Sequence, residues 1–223
     1  RFIIKMQPQD INLTTDLKII IIGKSGAGKT SFVNKWIKNT FDETYKSTIV
    51  SEYSSKIIKY ADKIYHINLW DIAGQDNNAI ITRTFSKNAH GCITMADATE
   101  PISLQETIKW KKELDDSEKF PDLGKIPNIL IENKVDLIEG NDANDNSKLE
   151  EFAKENGFDG CFKTSAKTGL NINETINKLM SIIVTRLNSV AEKENDMNRK
   201  SLQVDPENHS EKDKYRTQQA GCC

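Results

Sequence analysis

At 223 residues, with Lys+Arg 31 against Asp+Glu 33 and a formal charge of −2, the chain fits one domain of ordinary size. It carries no whole-molecule basic field of the kind that draws a nucleic acid. Its longest largely aliphatic run, Leu17 to Ile22, stops at Gly23, far short of the ~20 apolar residues a bilayer-spanning helix needs. Cys92 and Cys161 lie in apolar stretches and Cys222-Cys223 stand together at the end, which is neither a disulfide framework nor a zinc spacing. Reduced thiols are expected, and Arg1–Lys5 has no signal-peptide h-region, so the expected setting is intracellular.

In chain order, Leu17–Ile22 reads as a strand buried on both faces of a parallel sheet, followed by a Gly-rich turn and a helix to about Lys38. Thr48–Tyr60 and Lys63–Trp70 are strand-like and separated only by Ala61-Asp62, an antiparallel hairpin on an otherwise parallel sheet. Gly91–Asp97 and Ile126–Asn133 are short apolar strands, with an amphipathic helix carrying Ile102, Leu104, Ile108, Trp110 and Leu114 between them. A helix near Leu149–Glu155, a strand near Phe158–Ser165 and a helix from Asn171 to about Leu187 complete the alternation. The pattern predicts an α/β domain with helices on both faces of a mostly parallel sheet of about six strands, with one antiparallel edge strand. From Asn188 the aliphatics nearly vanish, so residues 188–223 are expected to be a disordered tail. The expected division is an N-terminal extension over 1–15, a domain over 16–187, and the tail.

Gly23-Lys24-Ser25-Gly26-Ala27-Gly28-Lys29-Thr30 fits G-x-x-x-x-G-K-[ST] between a strand and a helix. Such a loop turns backbone N–H groups toward phosphate oxygens at the positive end of the helix. Lys29 reaches the β- and γ-phosphates, and the Thr30 hydroxyl is placed to ligate Mg²⁺. Asp71-Ile72-Ala73-Gly74-Gln75 follows a second strand, giving a carboxylate for the Mg²⁺ shell and a Gly74 N–H for the γ-phosphate. Asn133-Lys134-Val135-Asp136 ends another strand. Its Asp136 carboxylate suits guanine's N1–H and 2-amino donors and would be left buried and unpaired by adenine. Ser165-Ala166-Lys167 ends a further strand and offers the Ala166 N–H to guanine O6. Each motif alone has an ordinary turn reading; together, four loops fall at the C-terminal ends of strands, where open α/β sheets bind ligands.

With these motifs the sequence resembles the Ras superfamily of small GTPases, and the terminal Cys222-Cys223 makes it similar to the Rab family. The resemblance implies the small-GTPase P-loop fold, with GTP and GDP as substrate and product and Mg²⁺ as cofactor. It implies that Ser31 lies near the α-phosphate, Phe41 edges against the base, Thr48 is the switch I magnesium ligand and Gln75 positions the attacking water. Ile72 and the run Trp110-Lys111-Lys112-Glu113-Leu114-Asp115 are similar to the Rab branch linked to lysosome-related organelles and mitochondria. Where Rabs usually read T-I-G-V-D-F this chain has Thr48-Ile49-Val50-Ser51-Glu52-Tyr53, and where they read A-G-Q-E-R-F it has Ala73-Gly74-Gln75-Asp76-Asn77-Asn78, departures on the surface that regulators and effectors touch.

The implied activity is slow hydrolysis of GTP to GDP and phosphate, a timed switch that needs an activating protein, because no arginine lies in the phosphate loop or in Phe41–Thr48. Two other readings stay open at this point: a P-loop nucleotide kinase, although Arg83 is the single arginine between Thr30 and Arg186, and a scaffold that holds GTP without turnover. The resemblance also implies exchange factors, activators, effectors, and prenylation escort and dissociation-inhibitor proteins, a monomer, and a role in vesicle or organelle traffic. Residues 188–223 carry six basic and seven acidic residues, so the tail is no polybasic anchor. Paired prenyl chains on Cys222 and Cys223 would hold it to the cytoplasmic face of a membrane.

Overall fold

The computed structural model describes residues 14–44, 48, 51–74, 83–116, 124–138 and 145–201, with the side chains of 194–201 excepted. Gln75, Cys222 and Cys223, and the departures Val50, Asn77 and Asn78, lie outside the described residues. In chain order the elements are β1 (Thr14–Gly23), α1 (Lys29–Lys38), β2 (Ser51–Tyr60), β3 (Lys63–Ile72), β4 (Gly91–Asp97), α2 (Pro101–Asp115), β5 (Asn128–Asn133), a 3-10 turn (Val135–Leu137), α3 (Ser147–Glu155), β6 (Gly160–Thr164) and α4 (Ile172–Ser201). A helical turn at 83–86 precedes β4.

The sheet order is β2-β3-β1-β4-β5-β6, with β2 antiparallel to β3 and every other pairing parallel. The β2–β3 connection is two residues long because Ala61 and Asp62 both take positive φ, 46° and 65°, the turn whose twist matches that of the flanking strands. β1 is buried on both faces, so its isoleucines alternate between two layers. Ile20 and Ile22 pack with Ile72, Cys92, Trp110, Leu114 and Ile126 on the α2 side. On the other face a Cβ at Gly91 would meet Ile183 and Leu179, which shows how closely α4 lies against β4. At about 1.5–3 kcal/mol per buried aliphatic side chain, β1 alone anchors a large share of the core.

Several boundaries differ from the sequence expectation for local reasons. β1 starts at Thr14, ahead of the expected domain start at residue 16. Thr48 lies outside any strand, and β2 begins only at Ser51, where pairing with Ile72 starts. Ile126 and Pro127 precede β5; Pro127 has no N–H for the ladder, and its carbonyl instead accepts the Cys92 N–H at 2.8 Å. β6 covers Gly160–Thr164, shorter than Phe158–Ser165.

The largest difference is at α4, which runs to Ser201 where the sequence reading ended its helix near Leu187 and began a disordered tail at Asn188. Loss of aliphatics removes a packing face but not helix propensity. The stretch from Ile172 to Ser201 holds no Gly or Pro, and Ala191, Glu192, Lys193, Met197 and Arg199 are good helix formers. The chain divides into two units, Arg1–Thr185 and Arg186–Cys223.

Candidate functional site

Parallel strands end together, and here the loops leaving β1, β3, β5 and β6 converge at one rim of the sheet around a cavity of about 470 Å³. Ser25, Gly26, Gly28, Lys29, Thr30, Ser31, Phe41, Thr48, Gly74, Asn133, Lys134, Asp136, Ala166 and Lys167, all singled out from sequence, line it. Three further candidates among the described residues, Ala27, Asp71 and Ser165, do not line the cavity and act from behind its wall. The Ala27 carbonyl accepts the Asn133 Nδ2 hydrogen at 2.9 Å, and Ser165 Oγ donates to Asp136 Oδ1.

The phosphate loop is held open by backbone conformation. Gly28 has φ 92°, and a Cβ there would lie 2.4 Å from Asn133 Nδ2, so both the left-handed backbone and the close approach of the β5 loop require glycine. α1 begins at the next residue, aiming its N-terminal dipole end at the cavity. Lys29 is 5% exposed, and its ammonium donates to the Gly23 and Lys24 carbonyls at 2.8 and 2.9 Å. Burial pulls its pKa down to about 8, against the opposing pull of the Asp71 carboxylate. An ammonium held on carbonyls in a desolvated pocket is a strong attractor for an anion.

Asp71 is the next-to-last residue of β3, 1% exposed, and burial pushes its pKa up despite the Thr30 hydroxyl and Lys29. Thr30 Oγ1 donates to Asp71 Oδ2 and lies 2.8 Å from Thr48 Oγ1, so three elements bring hydroxyl and carboxylate oxygens to one point. Asp71 Oδ1 is buried with no hydrogen-bond partner among the described residues, a cost that a hard cation would remove. This donor set fits Mg²⁺, which prefers a few protein oxygens completed by water and phosphate. Among the described residues no group of three or more His, Cys, Asp or Glu offers an all-protein metal cage. Gly74 is pressed on the phosphate loop, its carbonyl accepting the Ser25 N–H at 3.0 Å.

The opposite end of the cavity is built for a flat polar ring. Lys134, at φ 70°, opens the 3-10 turn that presents Asp136. Ser165 Oγ also accepts the Thr168 N–H at 3.0 Å, which fixes the hydroxyl that orients Asp136. The Ala166 N–H donates to Asn133 Oδ1 at 3.1 Å, so a base oxygen would have to share that hydrogen. Phe41 stands 37% exposed at the mouth, and Lys167 crosses it to Glu43 at 3.1 Å.

Sequence reasoning passed over Asn34, Asp42, Glu43, Thr44 and Leu137, which also line the cavity. Asn34 was accessible from helical spacing, four residues after Thr30 on one face of α1. The others are loop residues whose place depends on how the chain folds back.

The sequence model of the Ras family matches residues 18–185. Similar proteins include Ras-related protein Rab-32 of Sus scrofa, 33% identical over 180 residues that make up 80% of this chain and 79% of that protein. Ras-related protein Rab-7L1 of Homo sapiens is 34% identical over 164 residues, 73% of this chain and 80% of that protein. Ras-related protein Rab-32A of Dictyostelium discoideum is 36% identical over 171 residues, 75% and 77% of the two chains.

Proposed function

The chain belongs to the Ras family of small GTPases, a divergent member with Rab relatives, and from that premise we propose how its own residues work and what the switch serves. It is a GTPase that converts GTP to GDP and phosphate and so alternates between two nucleotide states. The observation that carries the site assignment is that one cavity has a desolvated ammonium and a cluster of hard oxygens at one end and a hydrogen-bonded carboxylate at the other.

In this reading the backbone N–H groups of Ser25 to Thr30 and the Lys29 ammonium bind the phosphates, trading the Gly23 and Lys24 carbonyls for phosphate oxygens. Thr30, Thr48 and Asp71 would hold Mg²⁺, which would supply positive charge to offset that of the phosphates. Asp136 accepts the guanine N1–H and 2-amino hydrogens, Phe41 and the Lys134 stem cover the ring, and Ser31, Ala166 and Lys167 complete the wall. Gln75 orients the attacking water. Loss of the γ-phosphate would free Thr48 and Gly74, the two loop positions proposed to meet it.

The Rab relatives support a role in vesicle or organelle membrane traffic, with exchange factor, activator, effectors, and escort and dissociation-inhibitor proteins as partners, for a chain acting as a monomer. No described helix is long and apolar enough to cross a membrane. Paired prenyl chains on Cys222 and Cys223 would supply the anchor to a cytoplasmic membrane face, with a cytosolic pool when extracted. Single-turnover GTP hydrolysis with and without a broad-specificity Rab activator tests the reading. Slow intrinsic turnover that the activator accelerates, and that Gln75→Leu slows with GTP binding kept, is expected; tight ATP binding or a complete absence of turnover overturns it.

A further inference from the structure

One segment that lines none of the cavity holds two ammonium groups, that of Lys134 on the base wall and that of Lys24, which precedes the lining residue Ser25 in the phosphate loop. On the base side, Lys134 Nζ donates to Asp97 Oδ2, a carboxylate whose residue is 5% exposed at the end of β4. The other oxygen of Asp97 accepts the Thr99 N–H at 2.9 Å and hydroxyl at 2.7 Å, and its own N–H donates to Ser103 Oγ at 2.9 Å. The carboxylate is therefore held by two Thr99 donors, and its backbone by Ser103, before it meets Lys134. Burial alone would push its pKa up, but the Lys134 ammonium and the Thr99 donors outweigh it and keep it ionised. On the phosphate side, Lys24 of the phosphate loop reaches Glu100 Oε2 at 3.0 Å and Glu106 Oε2 at 3.6 Å, both from the same β4–α2 connection and first turns of α2. The Glu100 N–H donates to the Asp97 carbonyl at 3.1 Å, so the two attachments share one short stretch of backbone.

We propose that the segment from Asp97 to Glu106 is a bracket that sets nucleotide residence time, with Asp97 acting on the base wall through Lys134 and Glu100 and Glu106 acting on the phosphate loop through Lys24. The proposal rests on the nucleotide site assigned above and names positioning residues for it. Lys134 needs such a brace because it sits at φ 70°, a left-handed backbone that a non-glycine residue occupies only when its surroundings impose it. Lys24 needs one because it sits in a turn rather than a helix or strand, and the Ala27 N–H that closes that turn reaches the Lys24 carbonyl only at 3.3 Å. Neither Asp97 nor either glutamate touches the cavity, so the bracket acts on entry and exit without altering the reacting groups.

The test is dissociation of fluorescently labelled GDP from full-length protein, for the parent, Asp97→Asn, and Glu100→Gln/Glu106→Gln. Asp97→Asn removes the charge opposite Lys134 and should raise the dissociation rate on the order of tenfold. The double glutamate variant removes a half-exposed ion-pair cluster and should raise it about two- to fivefold, with the parent's salt dependence reduced. Single-turnover hydrolysis in protein preloaded with GTP should stay within about twofold of the parent in both, a split that general loosening of the fold would not give. Dissociation rates within twofold of the parent in the glutamate variant, or hydrolysis falling in step with faster release, overturn the bracket. The glutamate variant decides the matter even if Asp97→Asn fails to fold. A parent that does not bind GDP at all would overturn the nucleotide reading instead.

Discussion

Asn133→Ala offers a direct measure of how the loops are bolted to one another. The side chain is 1% exposed and joins three of them: Nδ2 donates to the Ala27 carbonyl at 2.9 Å, and Oδ1 accepts from Thr164 Oγ1 at 3.2 Å and the Ala166 N–H at 3.1 Å. Truncation removes three bonds of about 0.5–1.5 kcal/mol each and leaves partners that are buried, with Ala27 at 1%, Thr164 at 0% and Ala166 at 3% exposure. Water entering from the adjoining cavity can satisfy some of them, so a loss of about 3–4 kcal/mol is expected, a large fraction of a domain stability of about 5–15 kcal/mol. Thr164→Val, which removes the longest of the three bonds, should lose about 1 kcal/mol, and the double variant should lose less than the sum because both act on one network. Urea unfolding at a fixed excess of GDP and Mg²⁺ measures the loss, with labelled-GDP dissociation recorded in parallel so that weakened binding is separated from weakened folding. A loss under about 1 kcal/mol for Asn133→Ala would refute the argument that this amide carries the junction.

Asp136→Asn presents a donor where guanine also donates, so guanine affinity should fall on the order of 10²-fold or more while xanthine affinity rises; equal GTP affinity in competition binding would remove Asp136 from the base site. Lys29 titrates at about 8 in the fold against 10.5 in an unfolded chain, so between those values the unfolded state holds more protons and stability rises with pH. Nucleotide-free parent should therefore gain about 2–3 kcal/mol relative to Lys29→Met between pH 7 and 10.5, and parallel denaturation curves across that range would show that Lys29 is not desolvated. Gly74→Ala places a Cβ 2.3 Å from the Ser25 nitrogen and 2.5 Å from the Gly23 oxygen, both backbone atoms that cannot swing away. It should cost about 2 kcal/mol or more by urea unfolding and slow hydrolysis at saturating GTP; a variant with parent stability would mean the β3 loop is not seated on the phosphate loop.

The strand–helix alternation and the four loop motifs were legible because each is local. Ile19 to Ile22 announce a strand buried on both faces, Gly28-Lys29-Thr30 a phosphate loop opening a helix, and Ala61-Asp62 a two-residue turn, all within a few residues of chain. Helix length was misread at α4 because apolar periodicity reports burial, whereas Ala191 to Ser201 continue the helix on propensity without an apolar stripe. What the chain order could not reveal was which residues become neighbours across the sheet. Asn133 meets Ala27, 106 positions away, Lys134 meets Asp97, and Lys24 meets Glu100 because the order β1-β4-β5 brings loops distant in sequence to one rim. The same closure strips water from Lys29 and Asp71 and leaves one Asp71 oxygen without a partner among the described residues. Residue type sets which group is available at each loop; desolvation and cross-strand proximity, which exist only once the sheet is assembled, set its charge state and its partners.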